Sequence, residues 1–317
     1  MVESRNRKGM VLSPPHGHKP AANAILDMTQ PRPTVTRFAP SPTGYLHLGH
    51  AYSALFTWEQ ALSGQMLLRI EDIDTSRCKP AFDTAILEDL AWLGLEWEQP
   101  VRRQSEHFDE YARALKQLED RGVLYPCFCS RRQIRAEIKK SATAPHPPAP
   151  GEEGPLYPGT CRRLVDSERH RRRESGDAFA LRLDSAKAME MTGPLIWSDA
   201  EKGDVKATLD RLGDVVLARK ETPASYHLAV TLDDHLQGVS LVTRGDDLFQ
   251  STHVHRVLQA LLGLDTPRYH HHRLLTGGDG QRFAKRDQSQ TIRSLREAGK
   301  TADEVRAMVG YGDGDTP

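Results

Sequence analysis

The stretch Arg37-Phe-Ala-Pro-Ser-Pro-Thr-Gly-Tyr-Leu-His-Leu-Gly-His50 joins a short apolar strand to a Pro/Gly turn and a pair of histidines that open a helix. A helix start presents backbone N–H groups with no intrahelical partner, and its aligned peptide dipoles add partial positive charge, so anions bind there. His47 and His50 can donate to phosphate oxygens, and Gly49 between them lets a nucleotide lie against the backbone. The stretch reads as a phosphate site at the carboxyl edge of a strand.

Working outward, Thr34–Ala39 is β-branched and aromatic and is stopped by Pro40 and Pro42. From Gly49 to Ser63 the apolar residues Ala51, Ala54, Leu55, Trp58, Ala61 and Leu62 recur at the helical period. Gln65–Asp72 is mostly apolar, as a strand buried on both faces would be. Strand, helix, strand of this length is a βαβ unit and predicts an α/β fold with a Rossmann-type parallel sheet. Ligands bind beyond the carboxyl ends of such strands, so Arg37–His50 and Glu71-Asp72 should face one pocket.

Helices are predicted over Pro80–Leu93, Glu106–Arg121 and Arg131–Lys140, and a Pro/Ala/Gly-rich loop over Ser141–Pro155. A basic segment, Arg162–Arg173, leads to a strand at Ala178–Asp184. The sheet pattern resumes at Gly213–Ala218 and continues as strand through Tyr226–Asp234 and Val239–Arg244. A helix at Gln250–Leu262, a strand at Arg268–Leu275 and a loop holding Arg282-Phe-Ala-Lys285-Arg286 follow. The expected organisation is a disordered tail over 1–33, a first sheet half over 34–122, an insertion over 123–212, a second half over 213–275, and a loop with a short helical segment over 276–317.

At 317 residues the chain can bury a substantial core, and Lys+Arg and Asp+Glu balance at 43 each, so any nucleic-acid partner must be met by local basic patches. Arg162, Arg163 and Arg171–Arg173 are candidates for RNA phosphates, although a charge run is usually a solvated face. There are four cysteines, no apolar leader and no apolar run near 18 residues. A soluble, cytoplasmic protein with no membrane partner is expected, with the cysteines pointing to metal before disulfide.

The histidine stretch resembles the HIGH signature of class I aminoacyl-tRNA synthetases, in the form used by glutamyl- and glutaminyl-tRNA synthetases. Arg69-Ile-Glu-Asp-Ile-Asp74 is similar to their Arg-Ile-Glu-Asp-Thr-Asp segment, and Tyr226-His-Leu-Ala to their amino-acid pocket strand. The resemblance implies ATP- and Mg²⁺-dependent activation of L-glutamate, with transfer to RNA. His47, His50 and Lys285 then spread the charge developing on the phosphates, Lys285 matching the second lysine of the KMSKS loop. Thr43, His47, Gly49, His50 and Lys285 would contact ATP. Arg282, Ala284 and Arg286 depart from that loop's pattern.

Glutamate has two carboxylates and an ammonium. Guanidinium forks bind carboxylates bidentately, which suits Arg37 and Arg244, while Glu71 suits the ammonium. Ser41 and Tyr226 can add hydrogen bonds, and these positions, with Ala39, match the family's glutamate site. Which arginine takes which carboxylate stays open, as does a structural Arg37–Glu71 ion pair. At Val230 many glutamyl-tRNA synthetases carry asparagine, so a polar contact is missing.

Cys127, Cys129, Cys161 and Tyr157 offer three thiolates and a phenol from two loops, a plausible tetrahedral zinc set, with His146 or water as other fourth ligands. The same Cys-x-Cys, Tyr-x-x-x-Cys arrangement occurs in a shorter branch of the family, which implies a structural zinc; Cys78 lies outside it. That branch places glutamate on the queuosine of tRNA(Asp). The short stretch of chain after Arg286, with little to read a distant anticodon, matches it. A monomer is expected. The rivals are a truncated enzyme charging tRNA(Glu) and a non-catalytic glutamate- or RNA-binding paralogue.

Overall fold

The computed structural model describes residues 33–61, 64–142, 156–275 and 290–311. The expected tail, the Pro-rich loop beyond residue 142, His146, and the loop carrying Arg282, Ala284, Lys285 and Arg286 lie outside the described residues. In chain order the elements are β1 (Val35–Phe38), α1 (Leu48–Ala61), β2 (Gln65–Ile70), α2 (Pro80–Trp92), β3 (Glu98–Arg103), α3 (Phe108–Asp120), β4 (Leu124–Cys127), α4 (Arg131–Ala142) and α5 (Asp166–Glu174). They continue with β5 (Ala180–Leu183), α6 (Ser185–Thr192), β6 (Ile196–Asp199), β7 (Gly203–Lys206), β8 (Val216–Ala218), α7 (Tyr226–Leu236), β9 (Leu241–Gly245), α8 (Ser251–Leu262), β10 (Arg268–His272), α9 (Ile292–Glu297) and α10 (Ala302–Met308).

The βαβ unit forms as expected: β1 and β2 pair in parallel, Val35 opposite Gln65 and Phe38 opposite Leu68. Strand β3 adds in parallel on the far side of β2. Its sequence, Glu-Gln-Pro-Val-Arg-Arg, gives no apolar signal because it is largely exposed, and an outer strand tolerates proline. A second sheet orders β7-β6-β10-β9, with β9, β10 and β6 parallel and β7 antiparallel. Ser240 N–H donates to Val35 O at 3.0 Å and Val35 N–H to Ser240 Oγ at 2.9 Å, which brings the entry of β9 beside that of β1. The carboxyl ends of both strands therefore open towards one place.

Strand pairing cuts across the expected 123–212 insertion. Strand β6, inside that range, pairs with β10 and carries β7 on its other edge, whereas β8, outside it, pairs with β5 in a separate antiparallel sheet, β4-β5-β8. Sequence contiguity cannot reveal this, because both assignments rest on partners far along the chain.

The expected strand at Tyr226–Asp234 is instead helix α7. Its residues Leu228 to Asp234 are all buried, so no exposed face marks the helical period, and a largely apolar run reads equally as a buried strand. The Ser225 side chain caps it, accepting from Leu228 N–H.

The apolar core falls into two large clusters. One gathers α1, β1, β2 and α2 with Ile292, Leu295 and Val305 of the last two helices and Val309 just beyond them. The other packs α3, α7 and α8 beneath the second sheet around Trp197. Among the described residues no helix is long and apolar enough to cross a membrane.

Candidate active site

Helix α1 starts at Leu48, and the two histidines before and within its first turn hold each other. Gly49 N–H donates to His47 Nδ1 at 3.1 Å, and His47 N–H donates to His50 Nδ1 at 3.1 Å. Each Nδ1 is thus an acceptor, so each neutral ring carries its proton on Nε2. The rings pack with centroids 3.8 Å apart. A Cβ at Gly49 would lie 3.0 Å from the His47 ring, so any larger residue would displace it.

A cleft of about 490 Å³ runs from these histidines past Arg37, Ala39, Ser41 and Glu71 to Tyr226 and Arg244. All the expected glutamate-site residues line it, as do His47, Gly49 and His50. Thr43 lines a neighbouring cleft instead, beside Ser41 and Glu71. Leu274 and Leu275 border the first cleft, and Ile292 N–H donates to Leu46 O at 2.8 Å. The described ends of the segment holding Lys285 therefore flank the histidine end.

Charge organises the floor. Arg37 donates through Nε to Asp234 Oδ1 and through Nη1 to Thr243 O, both at 2.9 Å. Arg69, fully buried, donates to Asp234 Oδ1 at 2.8 Å and to Glu71 Oε1 at 3.3 Å. The partners of Arg37 and Glu71 are thus Asp234 and Arg69, not each other. Burial pushes the Glu71 carboxyl up to about 7 against the pull of Arg69 and Arg37. Burial acts on Asp234 in the same sense, but Arg37 and Arg69 more than offset it and hold its carboxyl below the usual range.

Arg244 is different. It is 5 % exposed and makes no ion pair with an acid among the described residues. Nε donates to His271 Nε2 at 3.1 Å, Nη1 to Tyr226 Oη at 3.3 Å and to His255 Nδ1 at 3.2 Å, and Nη2 to Thr252 Oγ1. Burial and the Arg244 charge keep His255 neutral, well below its ordinary value. A buried cation held only by neutral acceptors lacks its counter-charge, and an incoming carboxylate would supply it.

Residue-by-residue reading did not find Asp234, Thr243, His255 or His271. The only local signals were the acidic pair ending a buried run, Asp233-Asp234, and the histidine-rich Tyr269-His-His-His272.

Away from the cleft, the sulfurs of Cys127, Cys129 and Cys161 lie within 4.8 Å of one another. Tyr157 Oη is 3.4 Å from Cys127 Sγ and 3.6 Å from Cys129 Sγ. Sulfurs bound to one tetrahedral zinc at ~2.3 Å stand close to this separation, so the donor set fits such an ion. The hydrogen bond from Cys161, with help from Tyr157 and Arg182, brings the Cys127 thiol down to about 4 against burial. The Arg182 guanidinium sits 4.0 Å over the Tyr157 ring, where it offsets surplus thiolate charge.

The basic residues nearby are engaged. Arg162 pairs with Asp214, Arg171 with Glu168, Arg172 with Asp177 and Arg173 with Glu119. Arg172 and Arg173 also cover Phe128 and Phe179. Their hydrogen bonds pack this region, which weakens their candidacy as RNA contacts.

A parallel sheet whose strand ends carry a histidine-capped helix start and an arginine-rich, acid-floored cleft is the arrangement of a class I synthetase. Residues 33–310 match the catalytic domain of class I tRNA synthetases (E and Q), and the chain belongs to that family. Among curated relatives, it is 45 % identical over 283 residues to a protein named glutamyl-Q tRNA(Asp) synthetase from Rhodobacter capsulatus, covering 87 % of this chain and 99 % of the relative. A protein of the same name from Nocardia farcinica is 42 % identical over 278 residues, covering 86 % and 82 %. Among solved structures, a glutamate tRNA ligase from Elizabethkingia meningosepticum in complex with its amino acid is similar, with a TM-score of 0.72 and 26 % identity. That match covers 88 % of this chain and 60 % of the solved one.

Proposed function

We propose that this protein activates L-glutamate with ATP and transfers it to the queuosine base in the anticodon loop of tRNA(Asp). The observation that carries the reading is Arg244, a buried cation without an acidic partner among the described residues, in one cleft with Arg37, Glu71 and the His47–His50 pair. The names of its similar relatives point to the same acceptor.

Arg37 and Arg244 hold the two carboxylates of glutamate, Glu71 its ammonium, and Ser41 and Tyr226 add hydrogen bonds beside Ala39. A carboxylate oxygen attacks the α-phosphorus of ATP, the bond to the β-phosphate oxygen breaks, and pyrophosphate leaves. His47 and His50 donate Nε2–H to phosphate oxygens, with Gly49 and Thr43 on the nucleotide side and Lys285 as the further cation. No protein nucleophile is needed; positioning and charge stabilisation supply the rate. Mg²⁺ bound with ATP would neutralise phosphate charge. Zinc on Cys127, Cys129, Cys161 and Tyr157 would be structural. The protein is proposed to work as a monomer in the cytoplasm.

The test is glutamylation of queuosine-containing tRNA(Asp) beside its unmodified form and tRNA(Glu). Labelling of tRNA(Glu) alone would overturn the reading.

A further inference from the structure

The glutamate cleft has a neighbour. A second cleft of about 270 Å³ shares Ser41, Glu71 and Tyr226 with it and extends away from the histidines towards Asp74, Gln104 and Arg219. None of those three has a part in the activation step.

Gln104 is 1 % exposed, and its Nε2 donates to Asp233 Oδ2 at 2.8 Å. A carboxylate only accepts, so the amide cannot be turned round, and Oε1 is the atom left over. Oε1 has no hydrogen-bond partner among the described residues, and its side chain lines the second cleft. The oxygen therefore opens on the cleft with its lone pairs available to a ligand's donor. Asp74 adds a carboxylate nearby, held in place by Ser76 Oγ and Arg77 Nε at 2.6 Å each.

Arg219 sits on the rim that this cleft shares with a groove leading to Tyr157. Its guanidinium makes no hydrogen bond or ion pair among the described residues, unlike the arginines of α5. The inner wall thus offers acceptors for hydroxyl and ammonium groups, and the rim offers a cation for phosphate.

We propose that the second cleft receives the acceptor nucleoside as a hydroxyl- and ammonium-bearing base, with Asp74 and Gln104 taking its donors and Arg219 a flanking phosphate. This rests on the function proposed above. The acyl carbon of glutamyl-adenylate would lie near Ser41, Glu71 and Tyr226, where the two clefts meet. An acceptor entering from the Asp74 side reaches that carbon without displacing the nucleotide. Its hydroxyl oxygen bonds to the acyl carbon, the carbon–oxygen bond to the phosphate breaks, and AMP leaves with the electron pair while the hydroxyl proton passes to the leaving phosphate.

The test compares the full-length protein with its Asp74→Asn and Arg219→Ala variants in two assays. Glutamate-dependent ATP–pyrophosphate exchange without RNA should stay within about twofold of the parent. The KM for queuosine-containing tRNA(Asp) should rise ~10-fold in each variant, the worth of one charge-assisted contact. Unchanged KM in both variants, with normal exchange, would overturn the cleft assignment and leave the proposed function standing. Loss of exchange together with transfer would also overturn it, by placing these residues in support of activation. If the parent exchanges pyrophosphate but labels no queuosine-containing tRNA, the proposed acceptor falls and this cleft's role with it.

Discussion

Arg244 Nε lies 3.1 Å from His271 Nε2, and His271 Nδ1 lies 2.7 Å from Asp199 Oδ2. A guanidinium has only donors, so Nε2 accepts and Nδ1 carries the proton given to Asp199. Burial, with Arg244 adding to it, brings His271 down to about 4, so the ring is neutral at pH 7. Asp199 thereby orients Arg244 through an uncharged intermediary and does not neutralise it. Lysine cannot make this set of directed bonds. Arg244→Lys should raise the KM for glutamate in pyrophosphate exchange by roughly 10- to 150-fold, the loss of about 1.5–3 kcal/mol for hydrogen bonds to a charged group. A KM within twofold of the parent would exclude Arg244 from the amino-acid site.

Glu71 should make glutamate binding depend on pH. Its carboxyl is raised to about 7, and only the ionised form attracts the substrate ammonium. The KM for glutamate should fall as pH rises from 6 to 8, and Glu71→Gln should weaken binding and flatten the profile. Steady-state exchange across that range measures both.

Stability should respond to acid through the histidines. His227 and His271 have an ordinary value of 6.5 and are brought to about 4 in the fold, chiefly by burial; His255 and His272 shift in the same direction. With the folded value below the unfolded one, their contribution is complete above 6.5 and is lost as pH falls towards 4. Glu71 acts oppositely: its folded value is above the unfolded one, so its contribution is present below 4.5 and lost as pH rises through 7. The histidines outnumber it, so Tm should fall from pH 6.5 to 4.5, less steeply in a His227→Gln variant. A Tm that holds or rises would contradict the sign.

The cysteine cluster predicts one zinc per chain by elemental analysis. Cys129→Ser should retain much less metal and unfold at lower temperature, and a chelator should bring the parent towards the same Tm. A parent purified without zinc, and unaffected by adding it, would rule out the site.

Asp233 tests the buried floor. It is fully buried and accepts from Arg102 Nε at 2.9 Å, Gln104 Nε2 at 2.8 Å and Tyr111 Oη at 3.0 Å. Removing one partner of a buried pair strands the other charge, so Asp233→Ala should cost about 3–5 kcal/mol in urea unfolding. A cost below about 1 kcal/mol would mean that water reaches Arg102 and relieves it.

Much of this was legible in local sequence. The run Arg37–His50 specified a strand, a turn and a helix start because prolines, a glycine and a 3.6-residue apolar period act within a few positions of themselves. The apolar strand leading into Glu71-Asp72 was readable for the same reason, whereas the grouping of Cys127 and Cys129 with Tyr157 and Cys161 rested on a resemblance to a known family. Tertiary structure decided the rest. Within helix α7 the stretch Leu228–Asp234 is buried throughout, a condition that erases the period distinguishing a helix from a strand. Asp234 serves Arg37 and Arg69, and His271 serves Arg244, across separations that no local pattern encodes. The sequence alone determined which groups can meet an anion. Only the fold decided which arginine is already neutralised and which still lacks a counter-charge, because that depends on where every buried acid ends up.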